Sequence, residues 1–213
     1  MKAICPPGSS ALFFSTQGVW KNLKNRIIPY IVLKQKEGSI IRVWVCNCST
    51  GQWAYSLAIV FLEVISELRP DAGIRLSVLA SDIDGERVEF AKNGLYPKRI
   101  ADLNQAQGVS KERLKRFFDK TKNGYQVKPE VIKMLEFSVH DLVDDPPYKE
   151  ISFLYCKYLL PWFSFDVKKK CISQFMESIL PGGVLYLDDQ AHYRRYFASP
   201  KIKSSYSHVK VSG

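Results

Sequence analysis

The 213-residue chain has no apolar run of the ~18 residues that a membrane span requires. Its longest candidate, Leu57 to Ile65, is interrupted by Glu63 and flanked by Glu67 and Arg69, so membrane insertion is not expected. The amino terminus, Met-Lys-Ala-Ile-Cys-Pro-Pro-Gly, lacks the apolar stretch of a secretion signal. Cysteine is sparse and odd in number: Cys5, Cys46, Cys48, Cys156 and Cys171, four of them inside apolar runs. That argues against a disulfide framework and for reduced thiols in a cytoplasmic protein. Cys46 and Cys48 lie two apart across Asn47 where a strand meets its turn, a poor arrangement for zinc, and their side chains are expected to face opposite ways. His192 and His208 lie in the polar tail with no cysteine near them, and no metal site is expected.

Phosphate-cradling motifs are missing as well. There is no G-x-G-x-x-G and no G-x-x-x-x-G-K-[ST], which disfavours a dinucleotide or a nucleoside triphosphate. G-x-S-x-G is absent, no Ser/His/Asp arrangement can be argued from order, and no catalytic residue is assigned. Zinc-finger, homeodomain and RNP-type aromatic motifs are lacking too, so no specific nucleic-acid readout is expected.

What is present is an average globular composition, 46% hydrophobic and 24% charged, with a net charge of +10. The charge is uneven. Residues 1–38 carry six Lys/Arg against Glu37, residues 98–122 carry eight against three acids, and residues 190–213 carry five against none, which leaves the rest net acidic. Basic appendages on such a core suit an anionic partner, an acidic protein face or nonspecifically bound nucleic acid, or they are solvated lysines that keep the chain soluble.

Hydrophobic patterning predicts alternating strands and helices. Ile40 to Cys46 is a nearly continuous β-branched run, as in a strand buried on both faces, and Trp53 to Leu68 is a helix apolar almost all round. Ile74 to Ala80 is a second strand closing on Ser81-Asp82, and Ile83 to Asn93 a short helix stopped by Gly94. Residues 94–134 break the rhythm and read as an antiparallel excursion. Leu135 to Asp141 and Ile151 to Cys156 are strands three and four. Asp166 is placed to cap a helix running through Ile179 and Leu180, which Pro181-Gly182-Gly183 ends before a fifth strand, Val184 to Leu187. The tail from Tyr193 to Val211 can supply a final hairpin. The pattern predicts an α/β fold with a mostly parallel sheet. The domains expected are an N-terminal segment with an entry helix (1–39), a Rossmann-like core (40–93 and 135–213) and an inserted β subdomain (94–134).

Ligands of open α/β sheets bind beyond the carboxyl ends of the strands. Here those ends carry Cys48-Ser49-Thr50-Gly51, Asp82, Asp141-Leu142 and Lys157-Tyr158. A carboxylate closing strand two can accept from both hydroxyls of a ribose, and an acid closing strand three can accept from an adenine amino group. Asp82 could equally cap the following helix. An adenosine ligand with no phosphates to cradle is S-adenosylmethionine, leaving as S-adenosylhomocysteine.

The blocks Arg42-Val43-Trp44, Ser49-Thr50-Gly51 and Tyr55-Ser56-Leu57-Ala58 closely resemble the R-V-W-x-x-x-x-S-T-G-E-E-P-Y-S-L-A signature of the CheR family, the chemotaxis receptor methyltransferases. The likeness continues in Ala80-Ser81-Asp82-Ile83-Asp84, Asn93-Gly94-Leu95-Tyr96-Pro97, Gly124-Tyr125-Gln126-Val127-Lys128-Pro129, Asp144-Asp145-Pro146-Pro147, Tyr155-Cys156-Lys157 and Leu180-Pro181-Gly182-Gly183. The resemblance implies a class I methyltransferase fold, Rossmann-like, with a small inserted antiparallel β subdomain at residues 94–134. It also implies methyl transfer from S-adenosylmethionine to a receptor glutamate carboxylate. The cofactor-binding candidates are Ser49, Gly51, Gln52, Trp53, Asp82, Ile83, Asp141, Leu142, Lys157 and Tyr158. A receptor or other acidic protein is the expected partner, through the inserted subdomain and its basic stretch Lys111 to Arg116.

Departures from the family pattern fall on polar contacts. In its T-x-F-F-R block the threonine is Ala11 and the arginine Ser15, and its glutamate pair is Gln52-Trp53. Its C-R-N-x-x-x-Y-F block has Lys157, Tyr158 and Trp162 in place of arginine, asparagine and tyrosine, and its G-H-S-E reads Asp188-Asp189-Gln190-Ala191. Only residues 1–12 precede Phe13-Phe14, so the family's N-terminal helical domain is expected to be missing. A second reading follows, a catalytically inactive binding or regulatory module with a degenerate cofactor site. Trp53 and Tyr158 either stack on the ligand or fill its place.

Overall fold

The computed structural model describes residues 12–98, 109–156 and 163–187, and the backbone of 202–205 and 208–211. Five parallel strands form the body of the main sheet: β1 (Ile40–Cys46), β2 (Arg75–Asp82), β6 (Leu135–Val139), β7 (Ile151–Cys156) and β8 (Ile179–Leu187). The tail adds the expected hairpin, β9 (Ile202–Ser205) and β10 (His208–Val211), with β10 antiparallel to β8. The spatial order is β6-β2-β1-β7-β8-β10-β9. Strand order thus reverses between β1 and β7, and a crevice is expected at their carboxyl ends.

Side-chain alternation along β1 explains its unbroken apolar sequence. Ile41, Val43 and Val45 enter one core, while Trp44 and Cys46 enter the core on the other face. The first face is covered by α3 (Gln52–Leu68), α4 (Gly85–Asn93) and a rod made of α1 (Gln17–Asn22), a π-helical turn (Leu23–Ile27) and α2 (Ile28–Leu33). Pro29 has no N–H to give the preceding turn, and the π turn just before it lets the rod continue. The second face is covered by α7 (Phe165–Ser178), through Cys171, Ile172 and Phe175.

The excursion forms its own antiparallel sheet, β3 (Leu95–Tyr96), β5 (Gly124–Val127) and β4 (Phe118–Thr121), with α5 (Lys111–Phe117) and the short α6 (Pro129–Ile132) beside it. It shares the main core: Phe13 meets Tyr96 and Phe118 edge-on, with ring centroids 4.8 and 5.3 Å apart. Glu63 on α3 locks the arrangement. Its carboxylate accepts two hydrogen bonds from Arg113 of α5, at 2.7 and 2.8 Å, and one from Lys24 of the rod, at 3.2 Å.

Three boundaries differ from the sequence reading. The helix expected from Ile83 begins at Gly85, because Asp84 is the cap and accepts from the amides of Glu86 and Arg87. Asp166 does not cap α7; Ser164 holds that position, and Asp166 sits in the first turn, where the helix dipole favours an acid. Ile179 and Leu180 are strand, not helix. β8 begins at Ile179, and Pro181-Gly182-Gly183 forms an irregularity inside it, so that Ile151 to Phe153 of β7 face Ile179 to Val184. Proline cannot donate to the ladder and Gly182 has φ +80°, so these residues bulge the strand rather than end the helix.

Candidate functional site

The turn after β1 is built from unusual backbone. Asn47, Ser49 and Gly51 all have positive φ, at 56°, 51° and 88°. Left-handed conformations cost non-glycine residues about 1–2 kcal/mol each, and such strain persists only where surrounding bonds over-determine it. Here the Cys48 amide donates to Ser81 O (2.9 Å), the Ser49 amide to Asp82 Oδ2 (2.7 Å) and the Gly51 amide to Cys48 O (2.9 Å). The tip of β2 therefore holds the tip of β1 open.

Gly51 meets a demand that no other residue can meet. A Cβ there would lie 2.8 Å from Ala91 Cβ and 3.0 Å from the Tyr96 hydroxyl, which itself donates to Thr50 O at 2.6 Å. Its role in this structure is close seating of the turn on α4 and β3.

Beyond the turn, on the β2 and β6 side, lies a cavity of about 210 Å³. Its polar lining comes from three strand ends: Asn47 after β1, Ser81 and Asp82 on β2, and His140 and Asp141 after β6. Ile83, Leu142, Val143 and Phe163 add apolar surface. Ile83 is 67% exposed, held at the rim by the late start of α4. Asp82 is only 4% exposed, and its Oδ1 accepts from the Asp84 amide at 3.1 Å. It does not cap α4 itself. Each carboxylate oxygen carries one backbone partner here, and an ionised carboxylate can accept about four hydrogen bonds in all.

Asp141 borders the same cavity, but its Oδ1 accepts from the Val143 and Asp144 amides at 2.8 and 3.3 Å, and Asp145 Oδ2 accepts from its own amide. The carboxylate organises the loop that carries Leu142. His140, expected to be a structural or semi-exposed strand residue, is buried, with its ring stacked on Tyr148 (centroids 5.0 Å).

On the other side of the turn the described residues stack on one another. Trp53 lies between Trp20 (4.5 Å, 27°) and Tyr155 (5.1 Å, 18°), and Tyr155 stacks in turn on Tyr186 (5.4 Å, 19°). Both faces of the indole are thus covered by the protein. Gln52 is fully buried, its Oε1 accepting from the Thr50 hydroxyl at 2.7 Å. Of the ten residues expected at the cofactor, the structure brings Asp82, Ile83, Asp141 and Leu142 together and adds Ser49 through its bond to Asp82. It turns Gln52 and Trp53 into the interior, because the rod and β7 supply their neighbours. Lys157 and Tyr158 lie outside the described residues.

Sequence reading missed Asn47, His140 and Phe163 as lining residues. Asn47 and His140 directly follow strand tips, a signal that was available; Phe163 carries none.

The thiols among the described residues lie in the core. Cys46, Cys48, Cys156 and Cys171 are free and buried. Burial pushes the Cys48 thiol up, helped by the Asp82 charge, and burial with a hydrogen bond to Cys156 raises Cys46. Cys171 is pushed up to about 11, chiefly by burial. Cys46 and Cys48 enter opposite cores because the strand ends at Cys46 and the left-handed backbone of Asn47 turns the chain between them.

Comparison with known proteins gives the family. Residues 9–197 match the family model described as CheR methyltransferase, SAM binding domain. The chain is 29% identical over 203 residues to chemotaxis protein methyltransferase Cher2 of Pseudomonas putida, covering 91% of this chain and 72% of that protein. It is 31% identical over 176 residues to the chemotaxis protein methyltransferase of Listeria innocua, covering 82% of this chain and 62% of that one. A 104.1 kDa uncharacterized protein of Rhodobacter capsulatus is 28% identical over 176 residues, covering 82% of this chain, which spans only 18% of that protein's length.

Proposed function

The chain belongs to the CheR methyltransferase family and carries its S-adenosylmethionine-binding domain, and from that premise we propose that it methylates a glutamate carboxylate of a receptor protein. The observation that carries the reading is the cavity at the carboxyl ends of β1, β2 and β6, beside the sheet's switch point, with the buried carboxylate of Asp82 on its wall. The residues present fit the nucleoside end of the cofactor. Asp82 has acceptor capacity left for ribose hydroxyls, and Ile83, Leu142 and Phe163 offer apolar surface to a flat base. At about 210 Å³ the cavity is below the ~300–1,000 Å³ of whole-ligand pockets, so it suits the nucleoside part alone.

When bound, S-adenosylmethionine supplies an electrophilic methyl group on its sulfonium. The chain's contribution is alignment: the bonded tips of β1 and β2 hold ribose and base so that one end of the ligand is fixed relative to an incoming carboxylate. Such a transfer needs no covalent intermediate on the protein. The exposed Lys111, Lys115 and Arg116 of α5 offer an acidic partner a docking face, whereas Arg113 of the same stretch is committed to Glu63. The open cavity beside Asp82 favours this reading over an inactive module with a degenerate site.

Calorimetric titration with S-adenosylhomocysteine tests it. Binding is expected, and Asp82→Ala should weaken it by at least about tenfold, since a hydrogen bond to a charged group is worth ~1.5–3 kcal/mol. Absence of heat and of thermal shift at millimolar ligand would sink the proposal. With a receptor fragment as acceptor, the transferred methyl should be released by base as methanol, the signature of a carboxyl ester; a base-stable product would refute the glutamate assignment.

A further inference from the structure

One buried nitrogen of a residue lining the cavity has no hydrogen-bond partner among the described residues. The His140 ring is held from several sides: its backbone amide donates to Asp82 O (3.0 Å), its face stacks on Tyr148, and Trp44 meets it at 5.6 Å. Nε2 lies 3.2 Å from Pro146 O. A backbone carbonyl can only accept, so Nε2 is the nitrogen that carries hydrogen. In the neutral ring this leaves Nδ1 with a lone pair, able only to accept. That atom is buried and unpartnered, in a residue 8% exposed that lines the cavity beside Asp82. A buried acceptor left without a donor is costly, and such groups call for a partner.

The place of His140 in the sheet indicates which part of a nucleoside it meets. β6 is one strand farther from the switch point than β2, so His140 sits outboard of Asp82. With Asp82 at the sugar, His140 falls under the base. Adenine presents an amino group, a donor, at the position where a 6-oxo purine presents an acceptor. Asp141 borders the same end of the cavity, with its Oδ1 engaged by two loop amides.

We infer that His140 Nδ1 accepts a hydrogen bond from the exocyclic amino group of the bound purine and so selects adenine over 6-oxo purines. The inference rests on the reading of the cavity as a nucleoside site, and the experiment separates the two. S-adenosylhomocysteine and S-inosylhomocysteine are titrated into the wild-type protein and into His140→Phe, which keeps a ring against Tyr148 and removes both nitrogens. The wild type should prefer the amino ligand by about tenfold or more, and His140→Phe should reduce that preference to about threefold or less. An unchanged preference in His140→Phe overturns the inference while leaving the site reading intact. A wild type that binds both ligands equally overturns it even if the variant does not fold. A wild type that binds neither removes the site reading itself, and the inference with it.

Discussion

Two regions flank the Asn47–Gly51 turn, and they treat the same sheet edge in opposite ways. On the β2 and β6 side the strand tips end in Asp82 and Asp141, whose carboxylates hold backbone amides and leave a hollow. On the β7 and β8 side Tyr155 and Tyr186 extend a stack of buried rings through Trp53 to Trp20. Short carboxylates that satisfy local amides cannot fill volume, whereas large rings bury well over 100 Å² each and do. A strand tip therefore becomes either wall or plug according to the size of the side chain it carries. The glutamate pair of the signature that the chain resembles reads Gln52-Trp53 where the plug forms, while Asp82 stands on the hollow side.

That contrast can be broken by removing the centre of the plug. Trp53→Ala should cost about 3–5 kcal/mol of stability, as for other large aromatic truncations, yet leave S-adenosylhomocysteine affinity within about threefold. Denaturant unfolding and calorimetry on the same variant measure both. A tenfold loss of affinity would mean that Trp53 reaches the ligand and the two sides are not separate.

The turn between the regions is the next point of attack. Gly51→Ala places a Cβ against Ala91 and Tyr96 at φ +88°, and strain plus overpacking should cost about 2–4 kcal/mol. The loss is expected in thermal unfolding and, because the Ser49 bond to Asp82 shares the turn, in ligand affinity as well. A variant as stable as wild type would show the turn to be looser than drawn.

The smallest effect tests whether the excursion depends on the plug side of the core. Burial alone would raise the Glu63 carboxyl, but the hydrogen bonds and charges of Arg113 and Lys24 outweigh it and leave it below the ordinary range. A lowered carboxyl stabilises the fold above the unfolded value of about 4.3 and loses that contribution as pH falls through the folded one. Glu63→Gln should therefore cost about 1–3 kcal/mol at pH 7, with the gap from wild type closing below about pH 4. A gap constant from pH 7 to 3 would assign the loss to packing instead.

Much of this architecture is legible along the chain. Ile40–Cys46 and Ile151–Cys156 are uninterrupted apolar runs, and a run buried on both faces carries its own assignment. The excursion was legible because its short runs break the βα rhythm. Boundaries at Ile83, Ser164 and Ile179 were not, since each turns on which polar atom reaches a free amide or on how a bulge is absorbed. At the site, Asp82 was readable because a carboxylate closing a strand has few uses. Trp53 was ambiguous: an aromatic residue after a turn stacks on whatever faces it, and Trp20 lies 33 positions away in sequence.

The sequence alone determined the order of strands and helices, the family and the acid that closes the second strand, because periodicity and motif are local properties of the chain. Tertiary structure alone decided which candidates share a cavity. Whether a side chain meets a hollow or another ring depends on residues brought beside it by the sheet, and Tyr155, Trp20 and His140 acquire their neighbours only when distant strands and helices pack.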